Sequence, residues 1–351
     1  MGELSARITG NDLSVVVQGP MIPDVTERCL ESVRRQLPGA QIVLSTWRGS
    51  DTAGLDYDVL VENEDPGAHP CHRRLSSLYN LNRQIVTTRE GLRRAGRPFA
   101  LKLRSDLHLT GTGFLDHWGR YPRRNSELRI FRERVINCTV YAQNPRRHQP
   151  TPFHPSDWFF FGLRDDLLLL WDTPLAPEPE TSRWFAERPR PEPDWYPHLL
   201  HRYFPEQYIW LSLLRRHGCT VRCEHQWDLS LENLELTERS FANNLILLEP
   251  ERIGIRSLKH RLGLDAWATL YSHGEWQRLY QRYCDPAFAP TFDPAWAGKD
   301  LYRSCRLLSP KRVADRVLAG LLRTDVGFLE NWEKKSPCSY ALVKGLHRWL
   351  G

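Results

Sequence analysis

The chain has 351 residues, of which 41% are apolar and 11% aromatic, with a net charge of +6. That length allows one large domain or a domain with an appendage, and the apolar fraction excludes wholesale disorder. The charge suits a phosphorylated or otherwise anionic partner, but it is too small and too evenly spread for nucleic-acid binding, so no nucleic-acid partner is expected.

The opening MGELSARITGND is polar and leads directly into a strand-like run, so no signal peptide is expected. No stretch approaches the roughly 18 apolar residues that a spanning helix needs. Eight cysteines (29, 71, 138, 219, 223, 284, 305 and 338) are scattered through a chain too long to need stapling. They read as reduced, and the expected compartment is cytoplasmic.

In chain order, LSVVVQGP (13–20) is a buried strand closed by a Gly-Pro turn. Asp24 and Glu27 resemble a capping box, and Val25, Cys29, Val33 and Leu37 form the apolar stripe of the helix behind it. QIVLSTW (41–47) and YDVLVEN (57–63) are further strands. Leu78, Leu81, Ile85 and Leu92 predict a helix that stops near Gly96, and FALKLRSD (99–106) predicts a fourth strand.

This alternation is the pattern of a mostly parallel sheet with helices on its faces. Such a sheet binds ligands outside the carboxyl ends of its strands. That rule selects Gln18-Gly19-Pro20, residues 46–51, residues 63–67 and residues 104–106.

Beyond the fourth strand, ELRIFRERVINCTVYAQ (127–143) reads as strands and DWFFFGL (157–163) as a very apolar one. Eight prolines fall in 172–205, predicting either an excursion over the surface or a loop packed on the active face. EQYIWLSLLRRHG (206–218) is a helix stopped by Gly218. In HGCTVRCEH (217–225) the histidines and cysteines share one parity, but a strand would hold its two histidines roughly 26 Å apart. That is too far for one zinc ion, so a half-buried strand is expected. After residue 250 the pattern turns helical and basic, as in KRVADRVLAGLLR (311–323). Such a helix suits either an anionic membrane surface or its own domain.

No GxGxxG, GxxxxGK[ST] or GxSxG occurs, which removes the support for dinucleotide, P-loop and serine-hydrolase readings. What remains is a carboxylate at a strand end. Asp106 stands where a divalent cation can be held against a departing diphosphate, and it equally suits the cap of a turn.

The segments VVVQGP, LPGAQIVLSTWRGSD, LVENEDPG, NLNRQIVTTREGL, LKLRSD and SDWFFFG, in that order, resemble the WavE-type lipopolysaccharide synthesis family over about residues 13 to 260. The resemblance implies an α/β, GT-A-like nucleotide-sugar-binding domain at 1–260 and a helical C-terminal extension at 261–351. It implies a glycosyltransferase moving a sugar from a nucleotide-sugar donor to a saccharide or lipid-linked acceptor in lipopolysaccharide synthesis. Separately from the resemblance, the basic C-terminal helices themselves suit a peripheral membrane contact.

Residue by residue, the resemblance places Gln18, Gly19 and Pro20 in the nucleotide pocket, and Thr46, Trp47 and Asp51 over the base. Asn82 and Arg83 open a helix whose free N–H groups suit a pyrophosphate. Arg104, Ser105 and Asp106 stand where such transferases carry an Asp-x-Asp motif for Mn²⁺ or Mg²⁺. Arg104 replaces the first aspartate, so either Asp106 holds the metal with help from elsewhere or Arg104 takes over part of the neutralisation. His260, beside Lys259, is the candidate second ligand, or both are solvated surface residues.

Glu206, opening a helix, or Asp157, ahead of WFFFG, would be the base for the acceptor hydroxyl. Trp184, Trp195 and Tyr196 would stack on the acceptor sugar or simply pack. A non-catalytic module for polysaccharide recognition or assembly is the alternative, favoured by Arg104. A nucleotidyltransferase would need a Gly-rich, Arg-containing loop after the first strand, which is absent.

Overall fold

A computed structural model describes residues 8–147, 150–191, 197–258 and 269–291. The first strand, β1 (Leu13–Gln18), is a β-branched run buried at all its positions. Burial on both faces is what a central strand of a parallel sheet requires. Helix α1 (Val25–Gln36), β2 (Gln41–Trp47) and β3 (Val59–Asn63) follow. A short hairpin, β4 (His69–Pro70) with β5 (Leu78–Tyr79), leads into α2 (Leu81–Arg94), β6 (Phe99–Arg104) and β7 (Leu107–Leu109).

Next come β8 (Val135–Cys138), β9 (Phe159–Leu163), α3 (Arg164–Trp171), α4 (Pro205–Arg216) and α5 (Leu231–Asn244). The described elements end with β10 (Leu245–Leu248), α6 (Pro250–Ile253), β11 (Ile255–Ser257) and α7 (His273–Tyr283).

Seven strands form one sheet in the order β10-β8-β9-β6-β1-β2-β3. Its pairs are parallel except those of β9, which runs antiparallel to both β6 and β8. The expected class, α/β with a mostly parallel sheet flanked by helices, is the one observed. Parallel register aligns Gln18 with Ser45 on one side and with Arg104 on the other. The carboxyl ends of β1, β2 and β6 therefore share one edge. Because β9 runs the other way, its amino end, preceded by Asp157, arrives at that same edge.

Helix α2 holds this edge together by packing Leu81, Ile85 and Leu92, all buried, over β1 and β2. Each such side chain contributes about 1.5–3 kcal/mol. Gly91 lets the helix come close, since a Cβ there would overlap Val16 Cγ1 of the central strand.

Four expectations change. Asp24 takes a left-handed conformation and makes no side-chain cap, so the capping box does not form; Thr26 Oγ1 accepts from Ile22 N instead. Leu78 belongs to β5 and is exposed, so the helix starts three residues later. In 127–143 only Val135–Cys138 is a strand. Residues 219–225 are irregular, and although Cys223 is buried, this segment finds no sheet partner. Periodicity reported its inward face and could not report hydrogen-bond partners.

The compact unit that contains the sheet extends to Thr291, and α7 packs on α5 and β10. The basic helices expected after 292 lie outside the described residues. Among the described residues no helix is long and apolar enough to cross a membrane.

Candidate functional site

The edge shared by β1, β2 and β6 opens into a cleft of about 260 Å³. Its back is the turn after β1. Gly19 sits at φ 127°, and a Cβ there would crowd Ser105 Oγ at 3.0 Å. That close approach lets Ser105 N donate to Gln18 O at 3.0 Å and Ser105 Oγ to Pro20 O at 2.9 Å. The two strand ends are thus tied together, and Gln18, Gly19, Pro20 and Ser105 all line the cleft.

Arg104 forms the floor. Its Nε and Nη2 donate to the two oxygens of Asp106 at 3.0 and 2.8 Å, and its Nη1 donates to Asp157 Oδ2 at 3.1 Å. Burial alone pushes the guanidinium down, but Asp157 and Asp106 outweigh it and raise Arg104 above its ordinary value. Asp157 is fixed by its neighbours. Buried Asn137 of β8 accepts from Ser156 N at 3.0 Å and donates to Ser156 O and Phe159 O, which clamps the turn into β9.

Beneath the floor lies a second layer. Lys102, two residues before Arg104 and on the same face of β6, is fully buried. Its Nζ donates to the Asp157 carbonyl and lies 5.2 Å from the Trp171 ring centroid. Burial, the largest cause, lowers Lys102 to about 8. Glu206, at the start of α4, is pushed up to about 8 by burial and by the charge of Asp157. His154 Nε2 lies 3.5 Å from Glu206 Oε2, and burial lowers His154 to about 4. At neutral pH the Glu206–His154 pair is therefore uncharged, while two cations, Lys102 and Arg104, face two carboxylates, Asp106 and Asp157. A buried cluster balanced in this way avoids the cost of an isolated charge.

The wall of the cleft is α2. Asn80, Arg83, Gln84 and Thr87 line it, at the spacing i, i+3, i+4, i+7 that puts four residues on one helical face. Thr87 Oγ1 donates to Gln18 Oε1 at 2.7 Å. Asn80, the N-cap residue, makes no side-chain cap and the first turn holds no acid, so the N–H groups at the helix start are left for an anion. Arg83 is held by Asp65 through Nε at 2.7 Å and lies 5.9 Å from the centroid of Trp47, which also lines the cleft.

Gln18, Gly19, Pro20, Trp47, Arg83, Arg104, Ser105, Asp106 and Asp157 thus meet at one cleft. Three residues expected there do not line it. Thr46 is buried against Ser50, exposed Asp51 closes a turn onto Ala53 N, and Asn82 exchanges two hydrogen bonds with the Ala176 backbone. Glu206 stands behind Asp157 and lines a much smaller void with Trp171. Trp184 has the Arg188 and Arg202 guanidiniums 3.6 and 4.0 Å from its ring centroid, so its faces are already engaged. Trp195, Tyr196, Lys259 and His260 lie outside the described residues.

Lys102, Asn80, Gln84 and Thr87 were not anticipated, yet each leaves a trace in the sequence. Lys102 is a cation inside an apolar strand, and the other three form a polar stripe at helical spacing. The described part of the Pro-rich segment packs beside this wall, with Leu200 N donating to Cys71 O and Arg73 N to His198 O.

The described residues do not fit a divalent cation. Both oxygens of Asp106 already accept from Arg104, which would face the ion, and no group of three His, Cys, Asp or Glu side chains converges among them.

The chain matches the profile of the family described as WavE lipopolysaccharide synthesis over residues 13–304. No curated protein matches it. Among solved structures it is similar to 4-diphosphocytidyl-2C-methyl-D-erythritolsynthase from Anaerococcus prevotii DSM 20548, at 9% identity and a TM-score of 0.28. That likeness covers 65% of this chain and 97% of the other, and it is too slight to bear on function.

Proposed function

Because the chain belongs to the WavE lipopolysaccharide synthesis family, we propose that its cleft binds a nucleotide-sugar donor and that the protein transfers the sugar to a saccharide or lipid-linked acceptor. The observation that carries this reading is the convergence of Arg104, Asp106 and Asp157 with the uncapped start of α2 at the carboxyl edge of the sheet. The diphosphate lies against the α2 N–H groups and Arg83, where the helix dipole and a guanidinium favour negative charge. Gln18 has its Oε1 occupied by Thr87, which leaves its N–H donors for the ligand.

In the reaction, the acceptor hydroxyl oxygen bonds to the anomeric carbon as the bond from that carbon to the diphosphate oxygen breaks. The hydroxyl proton passes to a carboxylate, and the nucleoside diphosphate leaves with the bonding electrons. Asp157 is the base in this scheme, because it lines the cleft and Glu206 does not. Glu206, raised to about 8, already holds at neutral pH the proton that a base would have to accept. Arg104 orients Asp157 and offers positive charge where the leaving group gains negative charge.

Arg104 at a metal-motif position also suits a module that binds polysaccharide without turnover. Asp157→Asn separates the two readings. A base variant loses sugar transfer by about 10²-fold or more while donor binding persists. Unchanged transfer removes Asp157 from the mechanism, and no transfer by the wild-type chain with any donor supports the module.

A further inference from the structure

The β4–β5 hairpin has an apolar tip that is exposed among the described residues. Leu75 is 65% exposed and Leu78 47% exposed. Leu175, 43% exposed, adjoins the same corner, because the next residue, Ala176, is bonded to Asn82 in the first turn of α2. Two of the four exposed large hydrophobic residues among the described residues thus belong to this one hairpin; the others are Leu175 and Leu231.

Arg73 and Arg74 flank the leucines. Both are exposed, and neither forms an ion pair among the described residues. Arg73 Nη2 donates to Phe185 O at 2.8 Å and to Ala186 O at 3.5 Å, which holds one edge of the guanidinium against carbonyl groups without pairing it to a carboxylate. These cations also help burial hold His198 below its usual range, a sign of positive local potential.

We propose that this hairpin tip docks on an anionic lipid bilayer, with Leu75 and Leu78 in the interfacial region and Arg73 and Arg74 at the headgroup phosphates. A lipid surface suits the tip better than a protein. Two leucines and two arginines expose far less than the roughly 800 Å² per partner of a stable protein interface. A bilayer asks only that apolar side chains reach the interface with cations beside them. Asn80, one residue beyond β5, lines the cleft, so docking here sets the cleft at the membrane, within reach of a lipid-linked acceptor. The inference goes beyond the donor reading and does not require it.

The test is sedimentation of the full-length chain with phosphatidylcholine vesicles, with and without phosphatidylglycerol. The wild-type chain is expected to sediment with the anionic vesicles and to be released by salt. Leu75→Ser combined with Leu78→Ser should lower partitioning about tenfold, and Arg74→Glu at least about fivefold. All three positions are exposed, so thermal midpoints and nucleotide-sugar binding should stay at wild-type values, which separates failure here from failure of the donor reading. Wild-type protein that ignores anionic vesicles, or variants that sediment as fully as wild type, would overturn the proposal.

Discussion

Glu206→Gln isolates the charge state of the layer beneath the cleft. Burial and the neighbouring Asp157 push Glu206 from 4.5 up to about 8. Between those values the folded chain holds a proton that the unfolded chain has released. Stability from this group is therefore complete below about pH 4.5 and declines as pH rises toward 8. The slope is about 1.4 kcal/mol per pH unit, and the whole change is at most about 5 kcal/mol. Glutamine keeps the shape and cannot ionise, so the variant lacks this decline. In urea denaturation the two proteins should be nearly equal near pH 4.5, and the variant should gain at each step to pH 8. Titrating groups far from Glu206 are shared and cancel in the difference, while Asp157 and Lys102, which interact with it, follow its charge. A difference that stays constant with pH, or a variant less stable throughout, would refute the assignment of a protonated Glu206.

Two further outcomes follow from packing and charge balance. Arg104→Ala leaves Asp106 and Asp157 facing each other without their guanidinium, and should lower stability by roughly 3 kcal/mol in denaturant unfolding. Arg104→Lys should not restore it, because one ammonium cannot fork to Asp106 and still reach Asp157. Gly91→Ala drives a methyl group into Val16 on the central strand and should cost about 1–3 kcal/mol by the same assay, with donor binding weakened as α2 shifts.

Much of the frame was legible because its signals are local. The runs at β1, β2, β6 and β9 are apolar and bounded by turn residues, and the stripes of α1 and α2 have helical spacing. From these the carboxyl edge of the sheet, and hence the place of the cleft, could be read. Features that depend on partners far along the chain could not. The bond from Arg104 to Asp157 spans 53 residues and requires β9 to run antiparallel, a direction that alternation does not encode. Residues 219–225 show strand parity without a strand, because an inward face needs only a core to lean on. Helix α5 went unanticipated. Its buried face includes Asn233, Thr237, Ser240, Asn243 and Asn244, polar residues of which Thr237, Asn243 and Asn244 find partners in distant loops, so it gives little apolar period.

The central claim, that the cleft between β1, β6 and α2 takes a nucleotide-sugar diphosphate, is tested most directly by calorimetric titration of a panel of nucleotide sugars into the wild-type chain and Arg83→Ala. One donor should bind the wild type saturably, and loss of a charge-assisted contact at the start of α2 should weaken it about tenfold or more. Binding of that donor to Arg83→Ala with undiminished affinity, or no binding of any nucleotide sugar to the wild type, would contradict the account.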